Sequence, residues 1–172
     1  MTGVPAPEAP GAADATRAFV VRTDGAARGN PGPASAGAAL YDLARADARE
    51  PRAQPDASIS DYLGTQTNNV AEYTGVVRAL ELAKELGATE VHLLLDSKLI
   101  VEQLAGRWRV KDAKLIPLWA AARSTLGGFR RWTATHVPRA QNSVADALAN
   151  EAIDRAAAGG PASVTRRPGA ER

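Results

Sequence analysis

The chain has 172 residues, 45% hydrophobic and 23% charged, an ordinary composition for one globular domain able to bury its own core. It contains no cysteine, which excludes a disulfide framework, thiolate metal sites and thiol catalysis. A net charge of +2 is far from a histone-like excess, so any affinity for nucleic acid must come from local patches rather than a global field.

Composition predicts a disordered leader (1–17), a folded body (18–157) and a flexible tail (158–172), because leader and tail lack the apolar periodicity that would offset ordering entropy. No apolar stretch follows basic residues near the N-terminus, and no run approaches the roughly 18 apolar residues of a membrane span. A cytoplasmic, monomeric protein without an obligatory protein partner or a membrane contact is expected.

In chain order, Ala18–Thr23 reads as a strand and Asp24–Pro33 as a turn-rich run, after which Ser35–Leu43 resumes a strand. Residues 44–57 are polar with two prolines and form a loop; Ile59–Gly64 is a third strand. Asn69 opens a helix in which Tyr73, Val76, Val77, Leu80 and Ala83 recur at helical spacing, with Gly87 at the C-terminal cap. Val91–Leu95 is continuously apolar, as in a strand buried on both faces, so His92 within it is structural. Two helices (Ser97–Leu104 and Leu115–Leu126), an alternating strand (Arg130–Val137) and a last helix (Ser143–Ala156) complete the order βββαβααβα. This is an α/β fold, a five-stranded mixed sheet flanked by helices.

Four carboxylates stand at element ends, and each has a local explanation. Asp24 precedes Gly25 as in a turn. Glu72 follows Asn69 by three residues, as in a reciprocal cap. Asp96 could cap the next helix, and Asp146 lies where an acid complements a helix dipole. Together they fit a different picture. The ends of adjacent central strands bring Asp24 and Asp96 together, and two helix starts contribute Glu72 and Asp146, where an α/β sheet gathers ligands. Four converging carboxylates repel unless cations sit between them. A pair of Mg²⁺ or Mn²⁺ ions, hard and oxygen-seeking, would resolve this and could clamp a phosphodiester. The lack of His-rich or Cys-rich ligation points away from zinc.

The segments Asp24-Gly-Ala-Ala-Arg-Gly-Asn30-Pro-Gly-Pro, Thr67-Asn68-Asn69-Val-Ala-Glu72, Leu95-Asp96-Ser97 and Asn142-Ser-Val-Ala-Asp146-Ala-Leu-Ala resemble, in order, the four signatures of type I ribonuclease H. The resemblance spans residues 18–156. GRWRVK at 106–111 and VPRAQN at 137–142 are most similar to its short-loop bacterial and archaeal subgroup. It implies the ribonuclease H-like fold and an endonuclease that cuts the RNA strand of an RNA/DNA hybrid by a two-metal-ion mechanism, leaving 3′-hydroxyl and 5′-phosphate ends. Asp24, Glu72, Asp96 and Asp146 then map onto the metal-binding catalytic carboxylates. Asn30, Asn68 and Asn69 map onto polar residues that contact the hybrid, and side-chain amides of this kind can test for 2′-hydroxyls.

Two features depart from the family pattern. Its auxiliary histidine sits on a mobile loop, whereas His136 falls on the Arg130–Val137 strand, so it is either a strand histidine or the auxiliary residue; Arg139 is the alternative occupant of that role. In place of a long basic handle there are only Arg107, Trp108, Arg109, Lys111 and Lys114. These form either a phosphate-contacting cluster or a solvated surface whose Trp108 belongs to the core. A non-catalytic binding module would be expected to lack one of the four acids. An integrase or junction resolvase is disfavoured by Asn30, Asn68 and Asn69, and no dinucleotide-binding glycine pattern appears.

Overall fold

The computed structural model describes residues 15–169. Phe19, Val20 and Val21 are apolar on both parities of one strand, so β1 (Ala18–Ala27) must be covered on both faces, and all three are fully buried. It lies in the middle of a six-stranded mixed sheet of order β5-β4-β1-β2-β3-β6. The strand β1 pairs antiparallel with β2 (Gly32–Asp42), which pairs antiparallel with β3 (Ala57–Gln66). On its other side β1 runs parallel to β4 (Glu90–Leu95), and β4 parallel to β5 (Arg131–His136).

One face carries α1 (Asn68–Glu85), α2 (Lys98–Leu104) and α3 (Ile116–Gly127) over the main core, where Tyr73, Val76 and Leu80 meet Phe19, Val21, Leu93 and Leu95. The other face carries α4 (Ser143–Ala157), whose Leu148 packs with Val20, Ala39 and Tyr41. Gly37 makes that approach possible: a Cβ there would lie 2.2 Å from the Ala145 carbonyl oxygen and 2.6 Å from the Ala149 nitrogen. The Ser35 and Ser60 hydroxyls donate to the Ala149 and Leu148 carbonyls and hold the helix at its middle.

The expected fold holds, with one strand more than the five predicted. Residues assigned by composition to a flexible tail form β6 (Ser163–Arg166), antiparallel to β3 from Ser58 to Asp61. The signal for β6 lies in its partner. The edge of β3 would otherwise leave its backbone groups unpaired, and Arg155 of α4 reaches across to the carbonyls of Ser60 and Pro161. The start of α1 also differs: Thr67, not Asn69, caps it by accepting from the Val70 N–H. Of the predicted leader, residues 1–14 lie outside the described residues. Arg17 already belongs to the fold, with its N–H on Thr89 Oγ1 at 2.9 Å and its guanidinium over the Phe19 ring. No helix among the described residues is long and apolar enough to cross a membrane.

Arg22 faces α4 in mid-sheet and is 2% exposed. Its guanidinium donates to the carbonyls of Gln141 (3.0 Å) and Arg49 (3.1 Å), tying the β2–β3 loop and the turn before α4 to the central strand. Its Nε has no partner among the described residues, and burial pushes its pKa below the ordinary arginine value.

Candidate active site

Parallel pairing of Thr23 with Leu95 brings the next residues, Asp24 and Asp96, side by side at the sheet centre. Above them α1 comes very close to β1. A Cβ on Gly25 would lie 2.3 Å from the Glu72 nitrogen, and the Gly25 N–H lies close enough to the Glu72 carboxylate to favour its charged form. Glycine at 25 is therefore what lets Glu72 stand over Asp24. Carboxylate oxygens of Asp24, Glu72 and Asp96 lie within 4.8 Å of one another. Asp146, in the first turn of α4, is near enough to the Asp24 carboxyl to help push it up. The four acids singled out in the sequence thus meet, three as a tight triad and the fourth through Asp24.

Crowding has an electrostatic consequence. Burial first, then Glu72, Asp146 and Asp96, hold the Asp24 carboxyl up at about 9. Burial and the charge of Asp96 hold Glu72 up at about 8, partly offset by the Gly25 N–H and by Arg139. Acids that cannot ionise together near neutral pH form a site fitted to a cation. An all-oxygen donor set suits hard divalent ions such as Mg²⁺ or Mn²⁺.

The amide residues gather at the rim. Asn30 Oδ1 accepts from the Asn68 N–H at 3.1 Å, joining the β1–β2 turn to the start of α1, and Asn68 and Asn69 are exposed. His136 is the last residue of β5, exposed, with Nε2 3.2 Å from the Asp96 carbonyl oxygen. It is thus a strand histidine by position and a neighbour of the acid site by reach. Arg139 opens a short 3-10 turn (Arg139–Gln141), is exposed, and its charge acts on Glu72. Trp108 is 45% exposed and does not belong to the core; Val110 packs there instead. His92 is held between Thr133 and Glu90, as a structural residue would be.

Sequence reasoning assigned no role to Asn142, which is fully buried and donates from Nδ2 to the Thr23 carbonyl at 2.8 Å. It precedes α4, and its own carbonyl accepts from the Asp146 N–H. Asn142 thereby links the strand bearing Asp24 to the turn bearing Asp146. Its place four residues before Asp146 was the available signal, but burial of its side chain is a tertiary fact.

A family model described as reverse transcriptase-like matches residues 22–152. The chain is 47% identical over 138 residues to a bifunctional protein of Mycobacterium tuberculosis, an alignment covering 80% of this chain and 36% of that protein. It is 44% identical over 137 residues to ribonuclease HI of Halobacterium salinarum, covering 77% and 63%. The chain belongs to the type 1 ribonuclease H family. It also superimposes on a ribonuclease H1 (LC11) crystallised in complex with an RNA/DNA hybrid, with TM-score 0.71 and 37% identity, covering 81% of this chain and 99% of that one. The chain spans about a third of the length of its mycobacterial relative. The matched span, residues 22–152, contains the positions of all four acids and the three asparagines.

Proposed function

We propose that this chain is an endonuclease that hydrolyses the RNA strand of RNA/DNA hybrids, with Asp24, Glu72, Asp96 and Asp146 holding two divalent ions, Mg²⁺ or Mn²⁺. The observation that carries the reading is the convergence of Asp24, Glu72 and Asp96, with Asp146 acting on Asp24, and with Asp24 and Glu72 held well above the usual carboxylate range. When bound, such ions supply an activated water and charge neutralisation at the leaving oxygen.

The chain's own residues do the rest. Asp24 is held on β1, Asp96 directly after β4, Glu72 in the second turn of α1 and Asp146 in the first turn of α4, so the acids need little rearrangement to present their oxygens. Asn30, Asn68 and Asn69 offer amide donors and acceptors on the exposed rim, suited to a minor groove lined by 2′-hydroxyls, which separate RNA from DNA. Water attacks phosphorus, the P–O3′ bond breaks, and the departing oxygen takes a proton, leaving 3′-hydroxyl and 5′-phosphate ends. His136 and Arg139, both exposed beside the acids, are the side chains placed to serve water or product there.

An end-labelled RNA/DNA hybrid tests this, with Mg²⁺ and Mn²⁺ supplied separately, RNA/RNA and DNA/DNA duplexes as alternative substrates and Asp96→Asn as control. The expected result is metal-dependent cutting of the RNA strand, abolished by the substitution. A folded chain that binds the hybrid and cuts nothing with either ion would be a binding module.

A further inference from the structure

Between α2 and α3 lies the run 105–114, exposed except at Val110, with Arg107, Trp108, Arg109, Lys111 and Lys114. Arg107 is engaged by Glu102, but Arg109, Lys111 and Lys114 form no ion pair among the described residues. Apart from Val110, which packs on the main core, such a loop has few buried contacts and would ordinarily fluctuate. Beneath it sits a polar cluster inside the apolar core. Gln103, on the last turn of α2, is only 4% exposed. Its Oε1 accepts from the hydroxyl of fully buried Tyr73 at 2.6 Å, and its Nε2 donates to the Arg109 carbonyl at 3.3 Å. Its backbone carbonyl accepts from Trp119 Nε1 of α3 at 3.1 Å.

We infer that Gln103 is a positioning residue for hybrid binding: through its side-chain bonds to Tyr73 and to the Arg109 carbonyl it pins the basic loop 107–114 to α1, at a fixed distance from the acid site. Tyr73 directly follows Glu72 on α1, so the anchor of the loop and one of the acids share a helix. A buried amide must satisfy both ends of its dipole. Gln103 does so with one bond to the catalytic helix and one to the loop. The chain thereby replaces the long basic handle it lacks with a short loop of restricted motion, so that its cations meet phosphates with less ordering cost.

This inference rests on the reading of the chain as a hybrid-cutting enzyme, and the experiment separates the two. Gln103→Glu keeps an acceptor for Tyr73 and loses the donor to Arg109; Gln103→Met loses both; Lys111→Ala removes a loop charge directly. Binding of a labelled hybrid is measured by fluorescence anisotropy across a salt series in the Asp96→Asn background, and KM and kcat in the otherwise native chain. Both Gln103 variants are expected to bind about tenfold more weakly, with a log Kd against log salt slope shallower by about 1–2, the loss of one or two phosphate contacts. KM should rise while kcat holds, and amide exchange in residues 107–111 should quicken while that of β1 and β4 does not. If Lys111→Ala flattens the slope but neither Gln103 variant does, the loop is not held by Gln103 and the inference fails. A fall in kcat at constant KM also overturns it, placing the cluster's effect on Glu72. A parent chain that neither binds nor cuts the hybrid refutes the functional reading itself.

Discussion

Replacing Asp24 by Asn should make the metal-free protein more stable while abolishing cleavage. In the folded chain this carboxyl is held at about 9 by burial and by Glu72, Asp146 and Asp96; in an unfolded chain it titrates near 3.9. Between those values the folded state binds more protons than the unfolded one, so stability of the metal-free chain is greatest below pH 4 and falls as pH rises toward 9. By pH 7 about three pH units of that interval have passed, each worth about 1.4 kcal/mol, so the acid costs on the order of 4 kcal/mol. Glu72 repels the same neighbours and shares part of this cost. The isosteric amide has no proton to lose and recovers about 2–4 kcal/mol at pH 7–8, roughly 5–15 °C in Tm for a chain of this size.

Urea unfolding of parent and Asp24→Asn, with a chelator and then with Mg²⁺, at pH 4.5 and pH 8, reads this out. With chelator the variant's advantage should be large at pH 8 and nearly gone at pH 4.5. Added Mg²⁺ should stabilise the parent by mass action and leave the variant almost unmoved. A variant no more stable than the parent at pH 8, or an advantage equal at both pH values, would show that the acids are not held in mutual repulsion.

Four further outcomes follow from individual contacts. Asn142→Ala removes the bond to the Thr23 carbonyl and should lower kcat at least about tenfold with a loss of about 1–3 kcal/mol in unfolding free energy; an unchanged kcat would remove Asn142 from the positioning of Asp146. Arg22→Met deletes a buried cation without a carboxylate partner, so stability should stay within about 2 kcal/mol of the parent while amide exchange quickens in residues 44–56. Truncation after Gly160 removes β6 and exposes the β3 edge; a lower Tm with full specific activity is expected, and loss of activity in the folded product would contradict a purely structural role. Gly25→Ala forces a Cβ against the backbone of Ala71 and Glu72 and should reduce cutting far more than it reduces stability, measured by kcat beside Tm.

The fold was legible where the apolar pattern was strong. Phe19–Val21 and Val91–Leu95 announced the central strands, and Tyr73, Val76 and Leu80 the face of α1 that covers them. It was illegible where a segment owes its structure to its neighbour. Residues 163–166 have little apolar content of their own and are ordered by the edge of β3 and by Arg155. The same holds for the polar interior. Arg22 and Gln103 carry side chains that ordinarily face water, and nothing in their immediate sequence marks them as buried. Their burial is set by loop carbonyls and a tyrosine that are distant along the chain or lie on another element.

The site was legible for a different reason, visible in how the helices are capped. Each acid has a local job that it could have done, and a capping carboxylate points its oxygens into its own helix. For two of the acids, in the fold, the job goes to a hydroxyl: Thr67 accepts from the Val70 N–H at the start of α1, and Ser97 accepts from the Ile100 N–H at the start of α2. Glu72 and Asp96 are thereby free to face Asp24. The Thr67 and Ser97 hydroxyls relieve the helix ends, and the acids keep their unrelieved repulsion, which burial deepens. At these two helix starts the sequence gives the stabilising task to a hydroxyl and the chemical one to an acid. Exchanging the two, with Thr67→Asp and Glu72→Thr, should therefore keep α1 capped and the fold intact, by circular dichroism and Tm, while cleavage of the hybrid disappears. Retained cleavage would mean that an acid anywhere in this helix turn suffices, and that the close approach at Gly25 has no part in the site.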